Sequence, residues 1–214
     1  MFYRADPWLH VIAGCMSSGK TDELLRLLRR AEYARRRILL VRPDLDTRTP
    51  PEYAESRSRA RYPSRIVPTD EPLQIVTLAR ELDADLIGID EAEFFSPDII
   101  EAVETLRRSG RHVVVTGLNL DFAGRPFGSM PELMARADDV TMLTAICVIC
   151  GGTATRTQRL VNGRPAAIDD PLVVIGGMDH AAVETYEARC NAHHEVAPSR
   201  PPATPEAPSI PLEL

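Results

Sequence analysis

Residues 8–21 read WLHVIAGCMSSGKT, and this stretch decides the fold. The run WLHVIA is apolar, as in a buried strand, and it stops at Gly14. Apolar side chains then recur at helical spacing at Leu24, Leu25, Leu28 and Ala31. Between strand and helix, the chain matches G-x-x-x-x-G-K-[ST], which predicts a P-loop whose backbone N–H groups converge on phosphates. This loop contains Gly14, Cys15, Met16, Ser17, Ser18, Gly19, Lys20 and Thr21.

The composition singles out Lys20. The chain has 25 Lys and Arg residues, and Lys20 is the only lysine among them. A compact ammonium group suits the β- and γ-phosphates of a bound nucleotide, whereas the guanidinium fork of arginine is too wide for that position. The Thr21 hydroxyl is the expected ligand of a nucleotide-bound Mg²⁺.

The rest of the N-terminal two thirds alternates strand and helix patterns. Strand patterns lie at 38–41, 85–90 and 112–117, and their apolar cores do not alternate with polar residues. Helical patterns occupy 71–82 and 97–108, and Ser96 and Pro97 are the expected N-cap and first helical residue of the second. Continuous apolar strands are typical of a parallel sheet covered on both faces. We therefore expect an α/β fold with a P-loop NTPase-like parallel sheet flanked by helices.

Two carboxylates are adjacent at the end of the run DLIGID: Asp90 is its last residue, and Glu91 follows it. An acidic residue at the carboxyl end of a neighbouring parallel strand is where a nucleotide-bound Mg²⁺ is held in a Walker B site. We assign Asp90 to this metal. Glu91 is the candidate base that takes a proton from an attacking hydroxyl or water. The alternative is a solvated strand end or a helix cap.

Aromatic residues follow the predicted strand ends. Phe94 and Phe95 come after the two carboxylates, and Phe122 lies in the loop after the 112–117 run. Aromatic rings at this edge can stack on a planar base, although a place in the core is as plausible for each of them.

Four cysteines and a histidine pair indicate a metal site. Cys147-x-x-Cys150 and Cys190-x-x-His193 form two ligand pairs with the spacing of a structural tetrahedral Zn²⁺ site, and Cys15 stands apart from them. His193 repeats the x-x spacing of the first pair, while the adjacent His194 is the alternative ligand. Unmetallated cysteines are the other interpretation.

Changes in composition divide the chain. Residues 43–65 are rich in Pro and Arg and predict a long mobile loop. We expect a nucleotide-binding domain at 1–143, a small zinc-binding domain at 144–196 and a disordered Pro-rich tail at 197–214.

Charge and hydropathy exclude several functions. The net charge is −6, which argues against nonspecific binding of nucleic acid or of anionic membranes. No apolar stretch approaches the roughly 20 residues of a membrane-spanning helix. The first residues lack the pattern of a signal peptide, so we expect a cytoplasmic protein.

In combination, these motifs resemble the thymidine kinases of the type shared by bacteria and the vertebrate cytosol. The resemblance spans residues 8–196. It rests on the following segments: GCMSSGKT at 14–21, DTR at 46–48, IDEAEFF at 89–95, GLNLDFAGRPFG at 117–128, LTAICVIC at 143–150, VIGG at 174–177 and YEARCNAHH at 186–194.

The resemblance implies transfer of a phosphoryl group from ATP to the 5′-hydroxyl of thymidine, with Mg²⁺ on the nucleotide and a structural Zn²⁺. It implies that Glu91 is the general base, that Asp90 is linked to Mg²⁺, and that Arg48 lies near the reacting groups. It also implies a homotetramer that is inhibited by dTTP.

For the thymine base, the resemblance implies stacking on Phe94 and Phe122. A lasso loop would cover the base and bind it largely through main-chain groups; its members are Val174, Ile175, Gly176, Gly177 and Tyr186. The zinc would anchor this loop, so the metal would affect activity indirectly.

Three features depart from the family pattern. Glu93 stands where Gln is usual and Asn119 where Asp is frequent, and both lie near the expected site. The segment between Gly177 and Tyr186 is longer than usual. Alternative functions are a P-loop kinase for another deoxynucleoside, a P-loop ATPase with a zinc ribbon, and a nucleotide-binding protein without turnover.

Overall fold

The computed structural model describes residues 6–45, 53–55, 59–172 and 184–199. Arg48, the residues 174–177 and the tail beyond residue 199 lie outside these ranges. The strands are β1 Leu9–Gly14, β2 Ile38–Pro43, β3 Tyr53–Glu55, β4 Arg61–Pro63, β5 Arg65–Val67, β6 Leu86–Ile89, β7 His112–Gly117, β8 Asp139–Leu143, β9 Ala145–Ile146, β10 Thr153–Ala154, β11 Arg156–Val161, β12 Arg164–Pro165 and β13 Glu184–Arg189. The helices are α1 Lys20–Tyr33, α2 Gln74–Glu81, α3 Ile99–Arg108 and α4 Met130–Arg136, with a 3₁₀ turn at Ala92–Phe94.

The central sheet confirms the expected α/β fold. Within the described ranges, it holds six strands in the order β5-β2-β6-β7-β1-β8, and every neighbouring pair is parallel. Because the strands are parallel, their carboxyl ends meet at one edge. The P-loop follows β1 at that edge, and Asp90 follows β6.

Helices cover both faces of this sheet, as the unbroken apolar strands predict. On one face, side chains of α2, α3 and α4 pack against alternate residues of β1 and β7, including Val11 and Val115. On the other face, leucines of α1 pack against the intervening residues, including Ile12 and Val114. Gly88 on β6 lets α1 approach closely, because a Cβ there would lie 3.2 Å from Leu28. The sheet is thereby buried on both sides.

The start of α3 differs from the prediction. The helix begins at Ile99 with Asp98 as its N-cap residue, whereas we expected Ser96 as the cap and Pro97 as the first helical residue. The reason is a turn before the helix, in which the N–H of Ile99 donates to the carbonyl of Ser96 over 3.0 Å.

The stretch 43–65 is partly regular, in contrast to the long mobile loop that its composition predicts. β3 and β4 form an antiparallel pair, and β5 extends the central sheet beside β2. Tyr62 on β4 is buried against α1, where its hydroxyl donates to Glu32 over 2.7 Å. These strands have only three residues each, which is too short for a recognisable alternation.

The C-terminal module, defined as the described residues from 144 to 199, forms separate sheets after β8 ends at Leu143. β11 pairs antiparallel with both β12 and β13, and β9 pairs with β10. Ala197, which the sequence assigns to the tail, forms a parallel bridge with Ala167. No helix in the described ranges combines the length and apolar character needed to cross a bilayer.

Candidate functional site

The P-loop has the predicted position, between the end of β1 and the start of α1. Gly19 caps α1 in a left-handed conformation with φ 84°, and Ser17 is also left-handed with φ 63°. Both residues turn the backbone so that the loop wraps ahead of the helix N-terminus. This arrangement is the anion-binding geometry that the pattern predicts. The structure brings all eight P-loop residues from 14 to 21 together at the carboxyl edge of the sheet.

Lys20 lies inside this loop. Its Nζ donates to the carbonyl of Cys15 over 2.8 Å, so the ammonium closes the loop on itself. Burial lowers the pKa of Lys20, and the nearby carboxylates of Glu93 and Asp90 oppose that shift. The single lysine of the chain therefore faces two acidic side chains across the space ahead of α1.

Asp90 is a buried carboxylate that accepts hydrogen bonds from three sides. Oδ2 accepts from the Thr21 hydroxyl over 3.0 Å, and Oδ1 accepts from the Thr116 hydroxyl and, over 3.1 Å, from the N–H of Glu91. A hydroxyl and a carboxylate in contact are the oxygen ligands that Mg²⁺ prefers. The residues present therefore fit a nucleotide-bound Mg²⁺.

The strand carrying Asp90 is placed differently from the expectation. We expected Asp90 on the strand next to the P-loop strand, but β7 lies between β1 and β6. Asp90 still reaches Thr21, because both lie beyond the ends of their strands. Thr116, near the end of the intervening β7, bridges the gap by donating to Asp90.

Glu91 adopts a left-handed backbone conformation with φ 53° and ψ 45°. Such a conformation is uncommon for a residue other than glycine, and it is found preferentially at functional sites. It turns the chain out of β6 into the 3₁₀ turn at Ala92–Phe94. The two adjacent carboxylates therefore have different backbone environments, with Asp90 at the end of β6 and Glu91 in the left-handed turn that follows.

Glu93 is buried, with 5% of its surface exposed. Its Oε2 is buried and has no hydrogen-bond partner among the described residues. Burial raises the pKa of Glu93 to about 7, although Lys20 acts in the opposite direction. Gly128 permits the close packing around this residue, because a Cβ there would lie 2.2 Å from the Glu93 carbonyl oxygen.

The predicted aromatic residues separate into two groups. Phe95 is buried in the main core below the sheet edge. Phe94 is half-buried and meets the ring of Phe127 edge-to-face, with 5.5 Å between the ring centroids. Phe122 is buried in the loop after β7, and its ring lies 5.2 Å from the guanidinium carbon of Arg159. Phe94 and Phe122 thus remain candidates for stacking, whereas Phe95 belongs to the core.

The four residues predicted to bind a metal lie together in one cluster. The ligand atoms of Cys147, Cys150, Cys190 and His193 all lie within 4.8 Å of one another. The Sγ atoms of Cys150 and Cys190 are 3.8 Å apart, and about 3.8 Å is the separation that two 2.3 Å Zn–S bonds give in a tetrahedron. Backbone amides, first that of Cys190, lower the pKa of Cys147 to about 6, which favours the thiolate that binds metal. The donor set therefore fits a structural Zn²⁺.

The structure also separates the two histidines. Nδ1 of His193 lies 3.1 Å from Sγ of Cys190 and 3.8 Å from Sγ of Cys147. His194 points away, and its Nε2 is 2.8 Å from the carbonyl oxygen of Phe122. His193 is therefore the residue placed for metal binding, and His194 links the C-terminal module to the Phe122 loop.

The remaining predicted residues are only partly described. Tyr186 lies on β13, opposite Arg159 on β11, and is 38% exposed. The predictions for Arg48 and for Val174, Ile175, Gly176 and Gly177 fall outside the described residues.

Sequence reasoning missed three polar residues that contact the site. Thr116 donates to Asp90, Thr157 accepts a hydrogen bond from the P-loop, and Arg159 lies over Phe122. All three are buried. The sequence could have indicated Thr116, because this residue places a hydroxyl near the end of the apolar run HVVVTG. It gives no indication for Thr157 and Arg159, because their contacts lie far away in the chain.

Strand β1, the glycine-containing loop and helix α1, with Lys20 and Asp90 beside them, place the chain in the class of P-loop nucleotide-binding proteins. The model of the family described as thymidine kinase matches residues 7–194. A thymidine kinase from Coprothermobacter proteolyticus is 49% identical over 191 residues, covering 89% of this chain and 92% of that protein. The chain belongs to the thymidine kinase family, and it is an ATP-using kinase.

Among solved structures, the ATPase DotB of Legionella pneumophila overlays with a TM-score of 0.39 at 18% identity. The overlay covers 62% of this chain and 35% of that protein. This partial likeness adds nothing to the assignment.

The raised pKa of Glu93 predicts a pH-dependent stability. A carboxyl whose pKa rises on folding, here from an ordinary 4.5 to about 7, stabilises the fold below pH 4.5 and loses that contribution as the pH rises to 7. Glu93→Gln removes this dependence. The measured quantity is the free energy of unfolding of the variant minus that of the parent. We expect this difference to be about 3 kcal/mol larger, in favour of the variant, at pH 8 than at pH 4.5. Urea unfolding of both proteins across this range measures it, and parallel pH profiles would contradict it.

Proposed function

We propose that this chain transfers the γ-phosphoryl group of ATP to the 5′-hydroxyl of thymidine, giving dTMP and ADP. The observation that carries this proposal is the meeting of the P-loop, Asp90 and Glu91 at one sheet edge in a member of the thymidine kinase family. Loop, metal carboxylate and separate base are the parts that phosphoryl transfer to a hydroxyl requires.

Each part has a role in the proposed reaction. The P-loop amides and Lys20 bind the β- and γ-phosphates, and on nucleotide binding the Lys20 ammonium exchanges the Cys15 carbonyl for phosphate oxygens. Thr21 and Asp90 would hold Mg²⁺, which would neutralise phosphate charge. Glu91 accepts the proton of the 5′-hydroxyl. The oxygen of that hydroxyl forms a bond to the γ-phosphorus, while the bond between the γ-phosphorus and the β–γ bridging oxygen breaks and ADP leaves. Arg48 is proposed near these groups.

Glu93, Phe94 and Phe122 are proposed to contact the nucleoside, together with residues 174–177 and Tyr186. With a pKa of about 7, Glu93 is substantially protonated at neutral pH. A protonated carboxyl offers one O–H donor and a carbonyl acceptor, and the side-chain amide of glutamine offers two N–H donors and a carbonyl acceptor. Protonated Glu93 therefore keeps the carbonyl acceptor and one of the two donors of the glutamine that is usual in the family.

We also propose that Cys147, Cys150, Cys190 and His193 hold a structural Zn²⁺. The family resemblance supports a homotetramer, inhibition by dTTP and a cytoplasmic location, and it supports the division into a kinase domain at 1–143, a zinc-binding lasso domain at 144–196 and a tail at 197–214.

Transfer of labelled γ-phosphate from Mg-ATP tests the reaction. We expect label in dTMP when thymidine is the acceptor, less with deoxyuridine or deoxycytidine, and suppression by dTTP. Label in free phosphate alone would favour an ATPase, and preferred transfer to another deoxynucleoside would overturn thymidine as the substrate. Binding of ATP and thymidine without turnover would identify a binding protein.

Glu91→Gln tests the base. Because the amide cannot take the hydroxyl proton, we expect kcat to fall by about 100-fold or more while calorimetric binding of ATP and thymidine is kept. Glu101→Gln, which alters an exposed carboxylate of α3, is the matched control and should leave kcat unchanged. A Glu91→Gln enzyme with near-normal kcat would remove Glu91 as the base.

The adjacent histidines provide a matched test of the zinc site. We expect His193→Ala to lose bound zinc and to melt about 10 °C or more below the parent, because metal binding contributes to folding. His194→Ala should retain one zinc per chain. Elemental analysis of both purified variants measures the zinc bound per chain. The assignment would be contradicted by a parent protein without zinc, or by zinc lost from His194→Ala and retained in His193→Ala.

A further inference from the structure

A cavity lies at the amino edge of the central sheet, which is the edge opposite the P-loop. It is bordered by the end of α1 and by the starts of β1, β6 and β7, and its volume is about 240 Å³. We call it the amino-edge cavity. Its apolar lining consists of Trp8, Ala31, Ala34 and Leu86. Helix α1 has 14 residues and therefore spans about 21 Å between the P-loop and this cavity.

The charged side chains of the amino-edge cavity favour an anion. Arg35 and Arg36 line it, and neither guanidinium forms a hydrogen bond or an ion pair with another described residue. Asp85 also lines it, but Nη2 of Arg37 lies 3.0 Å from Oδ1 of this carboxylate. Because this ion pair offsets the charge of Asp85, the carboxylate repels an incoming anion only weakly. The two guanidinium groups can therefore pair with a ligand.

His112 shows the sign of the electrostatic field in the cavity that it lines. Burial lowers the pKa of His112, the nearby Arg36 lowers it further, and Asp85 opposes these two with a smaller effect. A field that disfavours a proton on the imidazole favours a negative charge on a ligand. Nδ1 of His112 is also buried without a hydrogen-bond partner among the described residues. A buried nitrogen without a partner is unfavourable, and a hydrogen bond to a ligand would remove that cost.

The aromatic lining and the volume favour a single ring. Trp8 and His112 meet edge-to-face, with 6.0 Å between the ring centroids and 64° between the ring planes. Such a corner has flat sides against which a planar group packs. A dry cavity of about 150 Å³ takes up benzene, and pockets for drug-sized molecules begin at about 300 Å³. The amino-edge cavity therefore has room for one ring with a substituent and is too small for a nucleotide.

We propose that the amino-edge cavity binds a small organic anion, namely a single aromatic or heterocyclic ring that carries a carboxylate or a phosphate group. The ring packs against Trp8 and Ala34, and the anionic group pairs with Arg35 and Arg36. Because the P-loop lies at the other end of α1, this binding does not depend on the proposed phosphoryl transfer.

The two arginines have a second explanation, which the test must separate from ligand binding. They follow the end of α1, and cations near the carboxyl end of a helix interact favourably with its dipole. Arg80 in the last turn of α2 is a matched control, because it is also an exposed arginine at a helix end. In the described structure, it does not line the amino-edge cavity.

Trp8 is the single tryptophan of the chain, so tryptophan fluorescence reports directly on the amino-edge cavity. We would titrate the full chain with benzoate and with phenyl phosphate, and use inorganic phosphate and the uncharged benzamide as controls. We expect a saturable change with at least one of the two aromatic anions. Benzamide and inorganic phosphate should bind about tenfold more weakly or less, because each lacks one of the two recognised groups. The comparison of the two anions decides between carboxylate and phosphate.

Three exposed positions provide the variants. Arg36→Gln should weaken binding of the anion about tenfold, because it removes a charged hydrogen-bond donor. Ala34→Phe should abolish binding by filling the cavity. Arg80→Gln should leave the affinity within about twofold of the parent value. Thermal melting of each variant checks that the fold is kept.

Several results would overturn the proposal. Neither fluorescence nor calorimetry detecting either aromatic anion would show that the cavity binds no such ligand. Equal affinities for benzoate and benzamide would remove the role of the arginines, and equal effects of Arg36→Gln and Arg80→Gln would reduce that role to general electrostatics. Displacement of the anion by Mg-ATP or by thymidine would place it in the nucleotide site instead.

Discussion

The carboxylate of Asp90 ties together the elements that build the nucleotide site. Its oxygens accept from Thr21 at the start of α1, from Thr116 near the end of β7 and from the chain just beyond β6. A buried carboxylate is stable only with such donors, so the folded sheet requires these contacts even before a ligand binds. The same three contacts place the P-loop relative to Glu91. The stability of the sheet edge and the geometry of the site therefore depend on one side chain.

The P-loop itself has two supports. The central sheet positions it from behind through β1, while the C-terminal module contacts it through Thr157 and through the cluster around Cys15. Cys147, a candidate metal ligand, belongs to that same cluster. From the sequence, we expected zinc to affect activity only through the lasso loop. The described contacts indicate a second, more direct influence, because the metal-ligand residue Cys147 packs in one cluster with Cys15 of the P-loop.

The features that the sequence predicts correctly are local in the chain. The P-loop pattern, the apolar strands and the Cys-x-x-Cys and Cys-x-x-His pairs each occupy a few consecutive residues, so spacing alone indicates their structure. The features that it missed depend on contacts between distant segments. β3, β4 and β5 are too short to show a period, and the placement of β7 between β1 and β6 is a matter of topology. The two histidines are distinguished by their contacts, His193 with the metal-ligand cysteines and His194 with Phe122.

The single lysine has a practical consequence for chemistry on this protein. Lys20 supplies the only side-chain amine of the chain, and that amine is partly buried against the Cys15 carbonyl in the phosphate-binding loop. Acylating dyes, crosslinkers and coupling resins that react with lysine therefore have one side-chain target, and it lies where the nucleotide binds. Cation-rich surfaces elsewhere are built from guanidinium groups, which such reagents leave unmodified. Apart from the α-amino group of the chain, labelling through amines would consequently report on the nucleotide site rather than on the protein surface.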